Sequence, residues 1–354
     1  MPTVLLCLLL VFSLGASAQV ADGAASAAPA APAEPAEQPE QPEQPAAADD
    51  GIVDMEALVV SGIQPGPGLW KVSRDGRVLW ILGTVAPLPR RMQWMSDEVE
   101  GIVAASQEVL DPPSMAMRSG LGTFRSLLLV PSLLKARRNP DGLSLEESVP
   151  AEIYARWVPL KARYLGRNRG VERWRPLFAA QELYEAAIRR SGMTLDGVVA
   201  PVVERAAKRH RVPRTPVQLA IVVDDPKDAI REFNEGPLAD TDCFERTLAR
   251  IETDLDAMRE RANAWALGDI AALRAAPYDE QYVVCIRAIT ETGLARRLGM
   301  ENFRRQLGDL WLEAAEAALA RNASTFASLP VSTLVREDGL LARLQARGYA
   351  VEEP

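Results

Sequence analysis

Side chains able to do acid–base, nucleophilic or metal chemistry are sparse in this chain of 354 residues. His210 is the single histidine, so no site with two imidazole ligands can be assembled from one copy. It sits in Lys208-Arg209-His210-Arg211, a basic cluster of the kind that closes a helix, where cations complement the dipole; a solvated helix end is expected rather than a catalytic role. No Gly-x-Ser-x-Gly elbow is present, and Gly66-Pro67-Gly68 is too short and rigid to cradle a phosphate. The best placed carboxylate is Asp111, which ends Glu108-Val109-Leu110-Asp111 ahead of Pro112-Pro113. At a strand end it could accept a proton or hold a cation; capping the following helix or turn is the structural alternative.

Two further clusters bear charge. Glu252-Thr253-Asp254-Leu255-Asp256 has the acids of a calcium loop without its glycine or spacing, and reads as a solvated helix face. Arg163, Arg167, Arg169, Arg173 and Arg175, with Tyr164 and Trp174 among them, could grip an acidic partner, a glycan or a lipid headgroup, or form a salt-bridged surface.

The elements that must carry these groups are legible in part. An Asp75-Gly76 turn between Leu69–Arg74 and Arg77–Leu82 predicts a β-hairpin that delivers Gly83 and Thr84 to a sheet edge. Helical periodicity dominates from Trp94 to Leu319. One continuous pattern runs from Asp242 to Ala276, punctuated at Gly268-Asp269, and one strong β run covers Thr215 to Val223. Residues 1–18 are uncharged, with an apolar stretch from Val4 to Leu14 and Ala16-Ser17-Ala18 before Gln19. This predicts a signal peptide cleaved after Ala18, too short for a membrane span; its lack of Lys and Arg would fit a true start upstream of Met1. Residues 19–50, rich in Ala, Pro and Glu, predict a disordered tether.

That tether holds seven acidic and no basic residues of a chain with formal charge −8. The remaining domain, 51–354, is therefore near neutral, which argues against nucleic acid as a partner. No transmembrane span is expected in the mature chain. Cys243 and Cys285 flank the long helical segment, and an exported chain can oxidise them; a disulfide is expected, two buried thiols being the alternative.

The run from Leu69 to Ala86, and the closing run Thr325-Phe326-Ala327-Ser328-Leu329-Pro330-Val331-Ser332-Thr333-Leu334 with Gly339-Leu340-Leu341 and Arg347 to Val351, resemble the two ends of the TraB/PrgY/GumN family, which includes the Tiki-type metalloproteases. The resemblance implies an α/β fold: a mixed sheet built from N- and C-terminal segments, surrounded by a large helical middle. It also implies a site at Gly83, Thr84, Ala86, Asp111, Pro330 and Thr333, converging at one mouth of the sheet. In the family the first strand ends in Gly-Thr-x-His and the last in Gly-x-x-His, both histidines being proposed metal ligands. Here Ala86 and Thr333 stand in their places, Pro330 replaces the second glycine, and Asp111 stands where relatives usually carry Glu. A middle Gly-Leu-Glu-Thr strand has no counterpart with Glu, and the frequent Arg-Asn pair reads Glu301-Asn302. The expectation is a metal-free, cofactor-free pseudoenzyme of the periplasm, or secreted, that binds a protein, peptide or glycan of the bacterial envelope. The alternative is a divalent-cation-dependent, peptidase-like hydrolase using Asp111 and other carboxylates.

Overall fold

The computed structural model describes residues 65–121, 127–276 and 280–354. The expected signal peptide and the tether lie outside the described residues.

A hairpin opens the described chain: β1 (Leu69–Arg74) and β2 (Arg77–Thr84) pair antiparallel, with Leu69 opposite Leu82. Asp75 (φ 52°) and Gly76 (φ 77°) both adopt positive φ, as a two-residue primed turn requires. Next in chain order are β3 (Leu88–Pro89), β4 (Glu108–Leu110), β5 (Ser114–Ser119), β6 (Met193–Thr194), β7 (Arg214–Thr215) and β8 (Gln218–Val223). The last two strands are β9 (Ser324–Pro330) and β10 (Ala350–Glu352). The main sheet has the order β10-β1-β2-β9-β4-β7. Its β2, β9, β4 and β7 are mutually parallel, whereas β10 and β1 run antiparallel at the hairpin edge. A mixed sheet assembled from both chain ends is therefore present, as expected.

Why the ends meet is visible in the core. Trp70, Val72, Leu79 and Ile81 of the hairpin are fully buried, as are Phe326, Ala327 and Leu329 of β9 and Trp311, Leu312 and Ala315 of the helix Phe303–Arg321. None of these segments could bury its apolar face alone, so each depends on the others. A second core belongs to the helical middle, where Trp157, Leu183, Phe244 and Leu248 pack together and the Trp157 and Phe244 rings lie 5.4 Å apart.

Two readings need correction. The segment from Asp242 to Ala276 is three helices, Thr241–Thr253, Leu255–Leu267 and Ile270–Ala275; the expected break at Gly268-Asp269 is joined by another at Asp254. The β run from Thr215 is split: β7 belongs to the main sheet, while β8 pairs in parallel with β5 in a separate two-stranded sheet. Pro216, which has no N–H to give a ladder, falls at the division. Cys243 and Cys285 lie on the helices Thr241–Thr253 and Glu280–Thr290, which are separated by two further described helices. Their sulfurs are 2.03 Å apart, a disulfide distance, beside Leu177 and Phe178.

Candidate functional site

The parallel strands β2, β9 and β4 all point their C-terminal ends to the same edge of the sheet. In the β2–β9 register Gly83 lies opposite Leu329 and Thr84 opposite Pro330, so the two strand-end motifs are direct neighbours. Ala86 follows as an exposed residue just beyond β2. Thr333 lies in the short helix Val331–Leu334 that β9 runs into, and its hydroxyl donates back to the Pro330 carbonyl at 2.8 Å. Asp111 directly follows β4, on the other side of β9; Leu110 is level with Ala327. The six positions therefore share one sheet edge, with Asp111 a strand removed from the β2 end.

Several groups at this edge are already engaged. A Cβ on Gly83 would lie 2.6 Å from Cζ3 of Trp70 and 2.7 Å from Cγ2 of Val331. Contacts that short are not tolerated, so packing alone explains why glycine stands there. The Gly83 carbonyl accepts a 2.8 Å hydrogen bond from Trp265 Nε1, and Trp94 meets the Trp265 ring edge-on, the centroids 5.9 Å apart. Asp111 Oδ1 accepts from Arg214 Nη2 at 2.6 Å and from Nε at 2.9 Å, while Arg214 Nη1 reaches Glu204 at 2.9 Å. Burial pushes the Arg214 guanidinium down, but the Asp111 and Glu204 carboxylates outweigh that and raise it above its ordinary value. Asp111 is thus tied by an ion pair to the first residue of β7; it caps no helix.

A metal bound through the family's ligand set does not fit these residues. Ala86 offers no donor atom, the Thr333 hydroxyl is a weak neutral ligand where an imidazole would stand, and Asp111 Oδ1 is already paired with the Arg214 cation. No group of three or more His, Cys, Asp or Glu side chains close enough to hold a metal ion occurs among the described residues.

Beside this edge, Met92, Gln93, Trp94, Ser96, Val198, Pro201, Val202 and Arg205 line an open groove of about 500 Å³. Its floor is shared with the helix Ala200–His210, which has Pro201 in its first turn. His210 is exposed in the last turn of that helix, as its basic flanks predicted. Glu252 pairs with Arg156 at 2.7 Å and Asp256 with Arg259 at 3.1 Å, which makes the acidic run an ion-paired helix surface. Asn302 is exposed and makes no side-chain cap for the helix it precedes.

Sequence reasoning missed the most heavily bonded carboxylate, Glu108, at the start of β4. Glu108 accepts from Asn322 Nδ2 at 2.6 Å, from Arg321 Nη2 at 3.0 and 3.2 Å, and from the Thr215 hydroxyl. Burial raises its carboxyl, but those hydrogen bonds and the Arg321 charge more than offset it and hold it below the usual value. Only the polar pair Arg321-Asn322, at the end of a long helix, hinted at a partner. Arg214 was similarly overlooked, although it directly precedes the β run that the sequence did reveal.

No curated protein and no solved structure matches the chain. The family model of the TraB/PrgY/gumN family matches residues 68–353, nearly all of the described chain, and this protein belongs to that family.

Proposed function

We propose that this chain is an exported member of the family that binds a protein, peptide or glycan of the bacterial envelope, and that it does so without the family's metal chemistry. The carrying observation is that the strand ends carry no imidazole and their best groups already have partners within the protein: Asp111 Oδ1 accepts from Arg214, the Gly83 carbonyl from Trp265, and the Thr333 hydroxyl donates to Pro330. A catalytic carboxylate needs an open coordination or proton-accepting face, and Asp111, held by Arg214 at Oδ1, has only Oδ2 left for one. The groove from Met92 to Arg205 supports a binding role, since it joins apolar walls to a single cation close to the strand ends. The juxtaposed cysteines are consistent with an oxidising compartment.

The test is to charge the purified chain with zinc, manganese or cobalt, dialyse, and measure metal by elemental analysis alongside peptide cleavage. The parent should retain no stoichiometric metal and cleave nothing. The triple variant Ala86→His, Thr333→His, Pro330→Gly should gain metal binding, because Thr84 and Pro330 pair and the two other positions follow them within three residues. About one metal per parent chain, with cleavage abolished by Asp111→Asn, would establish the cation-dependent hydrolase instead.

A further inference from the structure

The arginine cluster does not behave as a uniform surface. Arg175 is buried and donates to four carbonyls: Arg138 at 3.2 Å, Gly236 and Phe233 at 3.0 Å, and Asn234 at 2.7 Å. It is a staple between segments, not part of a charged face. Arg169 and Arg173 are instead exposed, and they meet two arginines from a distant stretch, Arg137 and Arg138. These four, with Gly170 and Trp174, line one hollow of about 430 Å³.

The scaffold under the hollow is rigid. Arg138 and Trp174 form an antiparallel bridge, flanked by backbone bonds from Arg175 N to Arg137 O (2.8 Å) and from Asn139 N to Arg173 O (3.0 Å). The buried Asn139 side chain ties the carbonyls of Trp174 and Leu143 together. Arg137 stacks over the Trp174 ring at 4.4 Å.

Among the described residues, none of the four guanidinium groups has an ion pair or a side-chain hydrogen bond. The one acid between residues 163 and 175, Glu172, is turned away to Lys161 (3.3 Å), Trp157 and Tyr154. Arg137 lies only within electrostatic reach of Glu182. Four converging cations repel one another until an anion joins them, and guanidinium forks match phosphate oxygens.

Leucines beside the hollow narrow the source of that phosphate. Leu127 and Leu128 are 60% and 73% exposed, and Leu134 and Leu143 are also exposed. Leu134 is on the helix Val130–Lys135, three residues before Arg137. Leu143 is held next to Trp174 through Asn139. Exposed leucines beside a basic hollow complement an anionic bilayer, with apolar side chains at the acyl boundary and arginines at the headgroups.

We infer that this face docks on anionic phospholipid, the Arg137, Arg138, Arg169 and Arg173 hollow taking the headgroup phosphate. The site is independent of the strand-end reading. The experiment measures affinity of the full chain for phosphatidylcholine vesicles with and without phosphatidylglycerol, and takes the ratio. Residues 1–18 are uncharged, so any contribution from them cancels in that ratio. The parent should favour the anionic vesicles, and Arg169→Gln with Arg173→Gln should lower the ratio about 30-fold, taking about fivefold for each basic residue. Leu127→Ser with Leu128→Ser should weaken binding to both vesicle types. The altered residues are exposed, and matched melting temperatures would show the fold intact. A ratio near one in the parent, or an unchanged ratio in the arginine variant, overturns the inference. So does saturable binding of inorganic phosphate without vesicle binding, which would assign the hollow to a soluble phosphoester.

Discussion

Replacing Glu108 by Gln keeps the shape of the side chain and removes its charge, which isolates what the carboxylate does at the start of β4. Its oxygens accept from Thr215 on β7 and from Arg321 and Asn322 at the end of the long helix, so one side chain ties β4 to its neighbour strand and to that helix. A glutamine must turn an NH2 group toward one of these donors, leaving two donors face to face. Hydrogen bonds to a charged group contribute about 1.5–3 kcal/mol each. The Arg321 side chain is 56% exposed, so solvent screens its share. With one buried bond lost and the others weakened, the variant should be less stable by about 3 kcal/mol at pH 7, read as a lower urea midpoint with unchanged slope. The pH dependence gives an independent check. Because the folded-state pKa is depressed, the stabilisation is fully present above the ordinary Glu value of about 4.3 and is lost as pH falls through the lower folded value. The gap between parent and variant should therefore hold from pH 8 to 6 and narrow toward pH 3. A gap under about 1 kcal/mol at neutral pH, or one that stays constant down to pH 3, would refute the network's importance.

Gly83→Ala should destabilise by about 1–3 kcal/mol in denaturant titrations, because its methyl group meets Trp70 and Val331; an unperturbed midpoint would show that the strand end is loosely packed. Arg175→Met should cost about 3–5 kcal/mol, since it strips four carbonyls of a donor, while Arg173→Met a few residues away should change the midpoint little. Thiol counting on denatured, unreduced chain should find neither Cys243 nor Cys285 titratable. Their double replacement by Ser should cost about 4 kcal/mol for the loop that a separation of 42 residues closes, and two free thiols in the parent would end the argument.

The hairpin was readable because its determinants are local: Asp75-Gly76 permits one turn, and the alternating Trp70, Val72, Leu79 and Ile81 set the buried face. The pairing of β2 with β9 was legible only through motif resemblance, since nothing in either strand names a partner 246 residues away. Asp111 was found by its place at a strand end. Its ion pair with Arg214 was not, because the bond depends on β4 and β7 lying in register. The same limit explains the arginines. Arg169, Arg173 and Arg175 look equivalent along the chain, yet Arg175 is turned inward by the bridge to residues 137–139, and the hollow is completed by side chains that spacing could not associate with it. The β8 strand was seen as part of a longer run, but its partner was not, since β5 is a methionine-bearing segment without a strong strand pattern.

The strand order has a consequence for how the molecule comes into being. Both neighbours that complete the hairpin's sheet, β9 beside β2 and β10 beside β1, come from the last 31 residues. While the chain is being synthesised, the hairpin emerges early and stays open along both edges through the making of the whole helical middle. Closing loops of this length costs entropy before any contact repays it, which places this sheet among slow, non-local assemblies. The helical core at Trp157 and Phe244 has no such dependence on the C-terminus and can form first. A nascent chain is then a folded helical body carrying an unpaired, tryptophan-bearing ribbon, and residues 324–354 act as the final step that seals it. Chains ended short of Ser324 would leave that ribbon exposed as a template for pairing with other chains.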